Sequence, residues 1–369
     1  MADMNVTPAR PGLTPIQWQS DFWQEYLRDN QFAPYMGSEM DDMIQLQTDL
    51  TRKPGDSVVF PTVRNLTGAG VTGNTVLEGN EEIINARSLK VAVGVLRHAV
   101  AVSDWDKQKS VIDLLQAGRS TLKNWAMNKL RSDIILSLGA ITADGDVQIS
   151  YGSASAAQRN TWLVNNTDRV LFGATKSNNT GVYATSLTNI DNTADKLTAA
   201  QLTLAKRIAR TASPKIRPIR INGDEEWYVV FVPSLVFRDL MADTTIINSL
   251  QYAWDRGRNN PLFTAGDILY DGLIIREIPE LPVLVDVGAG GTVDAGASYL
   301  CGAQAIGIAW AQRTTTISNS RDYGFFEGVG VQEIRGVAKL RFGVDPTVDQ
   351  TKPVDNGIVT IWSAAEPDA

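Results

Sequence analysis

Cysteine is nearly missing from these 369 residues: Cys301 stands alone, so no disulfide can form within the chain. Histidine is as scarce, with His98 the single copy. A zinc site built on Cys and His ligands is therefore excluded, and any Ser-His-Asp or Cys-His catalysis would hang on one imidazole. Long apolar runs are also missing. Residues 134–136 and 227–232 fall far short of the roughly 20 residues a membrane helix needs. Residues 1–10 lack the apolar stretch of a secretory signal. The expectation is a soluble protein made in a cytosol, with no membrane partner.

What is present suits a globular protein. Hydrophobic residues make up 43% and charged residues 20%, enough for a sizeable core, and the length suggests two or three domains. The net charge of −7 argues against wrapping a polyanion by charge alone. Locally the balance reverses. Residues 107–131 carry Lys107, Lys109, Arg119, Lys123, Lys129 and Arg131 against the single acid Asp113, and residues 206–220 hold six cations and no acid. Solvated surface or subunit–subunit ion pairs explain both runs; a face toward polyanion is the sharper reading. Cys301, in Tyr299-Leu-Cys-Gly-Ala, reads as a small buried hydrophobe.

Periodicity organises the chain. Trp18, Phe22, Tyr26 and Leu27 predict a helix over 14–31. A strand is expected at 57–63, with Pro61 marking an edge. Beyond it, 64–82 is rich in Gly, Asn and Thr, and a long strand follows over 89–102, with Gly94 placed as a bulge. Two strands around some twenty flexible residues make a projecting hairpin, a shape that compact enzymes rarely keep unless it grips something. Ser103-Asp-Trp-Asp then caps a helix expected to run unbroken to Leu138, about 50 Å long. Helices are predicted near 156–164, 198–210, 233–241 and 245–254, and strands at 170–172, 216–222, 226–232, 272–278, 305–310, 336–342 and 358–362, with 287–296 a surface loop.

The chemistry searched for is sparse. Gly68-Ala-Gly-Val-Thr-Gly matches a dinucleotide fingerprint by letter, but Asn-Thr-Val-Leu-Glu-Gly follows where a helix must start. No phosphate-cradling Gly-x-x-x-x-Gly-Lys motif occurs. His98 sits in a strand on the face of Leu96 and Val100, as a structural residue would. No pair among the acids stands out, so no catalytic, cofactor-binding or metal residue is assigned.

The order of parts resembles the Hong Kong ninety-seven-type capsid fold of tailed phages. Gly55-Asp-Ser-Val-Val-Phe-Pro, Leu66-Thr-Gly-Ala-Gly-Val-Thr-Gly, Leu77-Glu-Gly-Asn-Glu-Glu and Arg97-His-Ala-Val resemble the branch named after the phage N-four capsid protein. So do Arg131-Ser-Asp-Ile, Asn259-Asn-Pro-Leu-Phe-Thr-Ala-Gly, Leu300-Cys-Gly-Ala-Gln-Ala and Asp322-Tyr-Gly. The resemblance implies an α+β fold with an N-terminal arm at 1–54 and an extended E-loop hairpin at 55–102. A P-domain at 103–195 with its spine helix at 104–138, an A-domain at 196–312 and returning strands at 313–369 complete it. It implies a non-enzymatic major capsid protein without cofactors, assembling with itself as hexamers and pentamers into an icosahedral head around double-stranded DNA. Portal, scaffold and decoration proteins are the further partners, and the virion capsid is the location. A scaffold fused ahead of the arm is not expected. An encapsulin-like compartment, or a carboxylate-based hydrolase, is the alternative.

Within that scheme Arg64, Glu78, Glu81 and Glu82 are candidates for contacts between subunits, and Lys109, Arg119, Lys123 and Arg131 for a DNA-facing surface. Some relatives of this fold cross-link by Lys–Asn isopeptide bonds, which need a lysine on the hairpin. Residues 61–88 hold Arg64 and Arg87 but no lysine, and a guanidinium stays protonated and is a poor nucleophile. Mature particles boiled in detergent are therefore expected to run as one band near 40.2 kDa; a covalent ladder that survives reductant would contradict this.

Overall fold

The computed structural model describes residues 32–48, 55–63, 68, 70–81, 86–142, 148–221, 225–254, 268–343 and 352–368. The helix expected over 14–31 and the motif at 259–266 lie outside the described residues. Two short strands come first, β1 (Met36–Gly37) and β2 (Ile44–Gln47). The hairpin strands follow, β3 (Ser57–Val63) and β4 (Ala86–Ala92), then β5 (Gly94–Ser103). Helices α1 (Asp104–Lys109) and α2 (Leu114–Leu138) lead to β6 (Ile141–Thr142) and β7 (Gln148–Ile149). Next are α3 (Ala156–Asn165), β8 (Val170–Phe172), α4 (Tyr183–Thr188) and α5 (Ala199–Thr211). Strands β9 (Ile219–Ile221) and β10 (Glu225–Val232) precede α6 (Ser234–Met241) and α7 (Thr244–Trp254). The remainder is strand-rich: β11 (Ile268–Tyr270), β12 (Leu273–Glu277), β13 (Val283–Leu284), β14 (Ala295–Cys301) and β15 (Ile306–Arg321). It closes with β16 (Phe326–Lys339), β17 (Arg341–Gly343), β18 (Pro353–Asp355) and β19 (Ile358–Ala364).

The larger sheet has the order β11-β12-β10-β14-β19-β8, with β13 and β9 attached. Its inner strands are apolar throughout because both faces are covered. Val229, Phe231, Tyr299 and Trp362 point to one side and meet Trp162, Leu163 and Tyr183 of α3 and α4 and the end of α2. Val230, Val232, Leu300 and Ile361 point to the other and meet Leu202, Ile208, Val236 and Leu240 of α5 and α6. Strand β14 begins inside the segment expected as a surface loop. Its Gly296 is forced by packing, since a Cβ there would lie 2.6 Å from a methyl of Val236.

The second sheet runs β1-β2-β15-β16-β5. Two expected strands, at 305–310 and 336–342, prove to be the buried ends of β15 and β16, which continue outward as a long hairpin. The expected strand over 89–102 is also corrected. It breaks at Val93, so that β4 pairs with β3 while β5 pairs with β16. Gly94 marks a change of sheet, not a bulge within one.

The long helix is divided as well. Ser103 caps α1 as expected, accepting from the Asp106 amide. Ser110 then leaves helical geometry, and Asp113 caps α2 by accepting from the Leu115 and Gln116 amides. A second capping acid outcompetes continuation because it satisfies amides that a new helix start exposes. Helix α2 spans about 37 Å. Leu122, Ala126 and the half-buried Trp125 pack on Val329 and Val331 of β16, which seats the helix on one face of the hairpin sheet.

A buried polar network binds the parts. Lys339 Nζ at the end of β16 lies 3.0 Å from Asp355 Oδ2 in β18, both nearly inaccessible to solvent. The same carboxylate accepts from Thr142 Oγ1 and Trp162 Nε1, each at 3.2 Å. Asn166 Oδ1 accepts from the Asp355 amide, and Arg169 donates to its carbonyl. Removing one member strands the other charge in the interior. Asp355→Ala is expected to cost about 3–5 kcal/mol in urea unfolding of the unassembled subunit. Glu366→Ala, breaking the exposed 3.6 Å pair with Lys196, should cost under about 1 kcal/mol. Equal effects would contradict the network's role.

Candidate functional site

Phe60 and Val58 of β3, with Leu89 and Val91 of β4, pack on Ala309, Ala338 and Leu340, rooting the projecting hairpin in the second sheet. Gly336 allows this close approach: a Cβ there would lie 2.1 Å from the Ala92 carbonyl oxygen. Strands β3 and β4 pair with each other and with no other described strand, so Pro61 does stand on a sheet edge.

Beyond the root, 70–81 stands away from the body. Gly70, Gly73 and Gly79 adopt φ of 69°, 72° and 85°, a region that side-chain-bearing residues avoid. A Cβ on any of the three would meet nothing within 4 Å. The tip is nevertheless ordered by its own hydrogen bonds. The Asn80 amide donates to Leu77 O and its side chain to Val76 O, both at 2.9 Å, and Glu81 Oε2 accepts from the Gly79 amide at 2.7 Å. This turn presents Val76 and Leu77 to solvent at 66% and 62% exposure. Glu78 is exposed beside them, whereas Arg64 and Glu82 lie outside the described residues.

The basic residues separate into two groups. Lys109 is exposed and lies over the Trp105 ring, 4.4 Å from its centre. Arg119 and Lys123 are exposed one turn apart on α2. Arg131 is different and is withdrawn from the DNA-facing set. It is buried, and its Nη2 lies 2.5 Å from Glu280 Oε2. Its position in the helical repeat turns it toward the large sheet, so its charge serves packing.

The outer half of the β15–β16 hairpin escaped the sequence reading. Its tip, Asp322-Tyr-Gly, turns with positive φ at all three residues and leaves Tyr323 fully exposed. Thr-Thr-Thr-Ile at 314–317 and the alternation of Val329, Val331 and Glu333 were the available signals. Helix α1 is fastened to this end: the Asp104 amide donates to Phe325 O, and Lys107 Nζ lies 2.5 Å from Glu327. That contact raises the Lys107 pKa.

The groups with catalytic potential are spent on packing. Cys301 is buried, and burial pushes its thiol pKa up, against the thiolate a nucleophile needs. The His98 ring packs against Trp125, 4.7 Å between centres. No cluster of three metal-ligating side chains occurs among the described residues, and no described helix is long and apolar enough to cross a membrane.

A projecting loop, a two-stranded edge and a long exposed hairpin are surfaces for contact with other chains, and they define a shell-building architecture. The chain belongs to the phage capsid protein family, whose model matches residues 8–367. It is 27% identical over 362 residues to the major capsid protein of Pseudomonas phage KPP25, covering 94% of each chain. A capsid chain of cyanophage Pam1 is similar in structure, with a TM-score of 0.83, 33% identity and full coverage of both chains. A capsid chain of Ralstonia phage GP4 has the same fold, at a TM-score of 0.76 and 22% identity over both full chains. The fold is the Hong Kong ninety-seven type, and the protein is a structural subunit of the phage capsid shell.

The two classes of basic residue are separable by experiment. Arg131→Ala should lower the stability of the unassembled subunit by about 1.5–3 kcal/mol, the usual loss for a hydrogen bond between charged groups. Lys123→Ala should stay within about 0.5 kcal/mol. Denaturant unfolding of both variants checks this.

Proposed function

We propose that this subunit closes its shell by laying the β3–β4 hairpin and its glycine-rich loop across a neighbouring copy, in hexamers and pentamers around packaged double-stranded DNA. One observation supports this above the others. The loop at 70–81 presents two aliphatic side chains and touches nothing of its own body at its three glycines. Such a segment gains buried area only from another chain. Contacts of this kind must close by rotation, and a hairpin on a flexible root tolerates the different angles of pentamer and hexamer. Arg64, Glu78 and Glu82 are read as ion-pair partners across that contact; Glu81 is committed in part to the loop's own turn.

The sequence partition serves as the working description: arm 1–54, hairpin 55–102, P-domain 103–195, A-domain 196–312 and returning strands 313–369. One qualification is needed, because β8 lies in the large sheet beside β19. Lys109, Arg119 and Lys123, exposed and without an ion partner among the described residues, are read as moderating repulsion between an acidic coat and DNA. An acidic subunit of net charge −7 does not condense DNA by itself, so packing by a motor through a portal fits better than condensation on basic tails. A separate scaffold and decoration protein complete the partners. No catalytic activity is assigned.

Negative-stain microscopy of the expressed protein, alone and with a scaffold from its own system, tests this. Shells, tubes or capsomers are expected; a protein that stays a compact monomer in every condition contradicts the reading. Deleting residues 67–75 should leave the fold intact by circular dichroism and abolish regular shells. Normal particles from that variant would remove the loop's role.

A further inference from the structure

Strands β5, β16 and the outer part of β15 form a sheet with α2 on one face. The register fixes what the opposite face carries. Ala101, Gly328 and Asn319 make one cross-strand row, Ala99, Gly330 and Ile317 the next, and Arg97, Gln332 and Thr315 a third. An antiparallel sheet open to water on one side alternates apolar inward with polar outward. Here the outward rows are mostly glycine, alanine and isoleucine, the composition of a covered face. Among the described residues nothing covers it. A Cβ built on Gly328 or Gly330 would meet only atoms of the adjoining strands, and Ile317 and Val95 remain 49% and 63% exposed.

Its occupant can be argued from charge and shape. Arg97 lies on this face, Arg321 follows Asn319 on it by strand alternation, and neither has an ion partner among the described residues. A shallow floor without side chains admits a backbone turn. The glycine-rich loop offers the complement: Val76 and Leu77 project from an ordered turn, and residues 65–86 carry Glu78, Glu81 and Glu82 with no cation.

We infer that the open face of the β5–β16–β15 sheet receives the Val76–Leu77 turn of a second copy of this chain, with Arg97 and Arg321 drawing in its glutamates. This rests on the proposal that the loop grips a neighbour, and it names the surface gripped.

Leu77→Cys combined with Ile317→Cys tests it, because buried Cys301 does not compete. Particles of this variant under mild oxidation should give a ladder of covalent multimers on a denaturing gel, collapsed by reductant. Leu77→Cys with Val182→Cys, whose second site is exposed elsewhere, should give none. Normal particles showing only monomer bands from the first pair, or equal ladders from both pairs, overturn the inference while leaving shell assembly standing. Should the paired cysteines prevent assembly, charge exchange decides. Arg97→Glu should lower particle yield about tenfold, and adding Glu78→Arg should restore it. No loss, or no rescue, refutes the assignment. Failure of the unmodified protein to form any shell would instead strike the underlying proposal.

Discussion

The pairing of β15 with β16 is the constraint on which the other parts depend. Strand β15 starts buried in the main core at Ile306 and Ile308 and ends wholly exposed, after about 50 Å of extended chain. Its inner end pairs with β2 and sits under the hairpin root. Its outer end, through β16, carries β5, α1 and α2. A strand so exposed would be unstable alone. It holds because its inner end is locked, by close packing and by the Lys339–Asp355 pair at the point where β16 re-enters the interior. The core thus stabilises an outlying sheet that buries little surface itself.

The same arrangement explains why the chain has contact surface to spare. The eight-stranded body is covered by helices on both faces, an ordinary solution for an α/β layer. The outlying sheet has one helix for two faces, and the β3–β4 hairpin has none. A monomer evolved to remain alone would cover or charge these surfaces. A shell subunit leaves them for its neighbours, and the family places this chain in such a shell.

Much of this was legible in the sequence, for identifiable reasons. Val170–Phe172, Glu225–Val232 and Ala199–Thr211 fall close to their expected bounds because periodicity or a continuous apolar run marks each. The loop was legible because its glycines suit no regular element. The misreadings share one cause: local signals do not report which partner a segment meets. Asp113 looked like a charge on one long helix and acts as the cap of a second. Gly94 looked like a bulge and marks the passage between two sheets. Arg131 looked like its exposed neighbours on the helix and pairs with Glu280, distant in sequence. The outer halves of β15 and β16 are polar and small, which resembles loop composition until the pairing is known. Asp355 and Lys339 carry no local mark, since a buried ion pair is a property of the fold.

The central claim is that the loop at 70–81 and the open face of β5 and β16 are bare in the free subunit and covered in the shell. Amide hydrogen exchange measures this directly, on unassembled protein and on purified particles. The account predicts that peptides spanning 70–81 and the outer end of β5 gain protection on assembly, while those from β14 and β19 are protected in both states. Unchanged exchange at 70–81 and along β5 in authentic particles would contradict it.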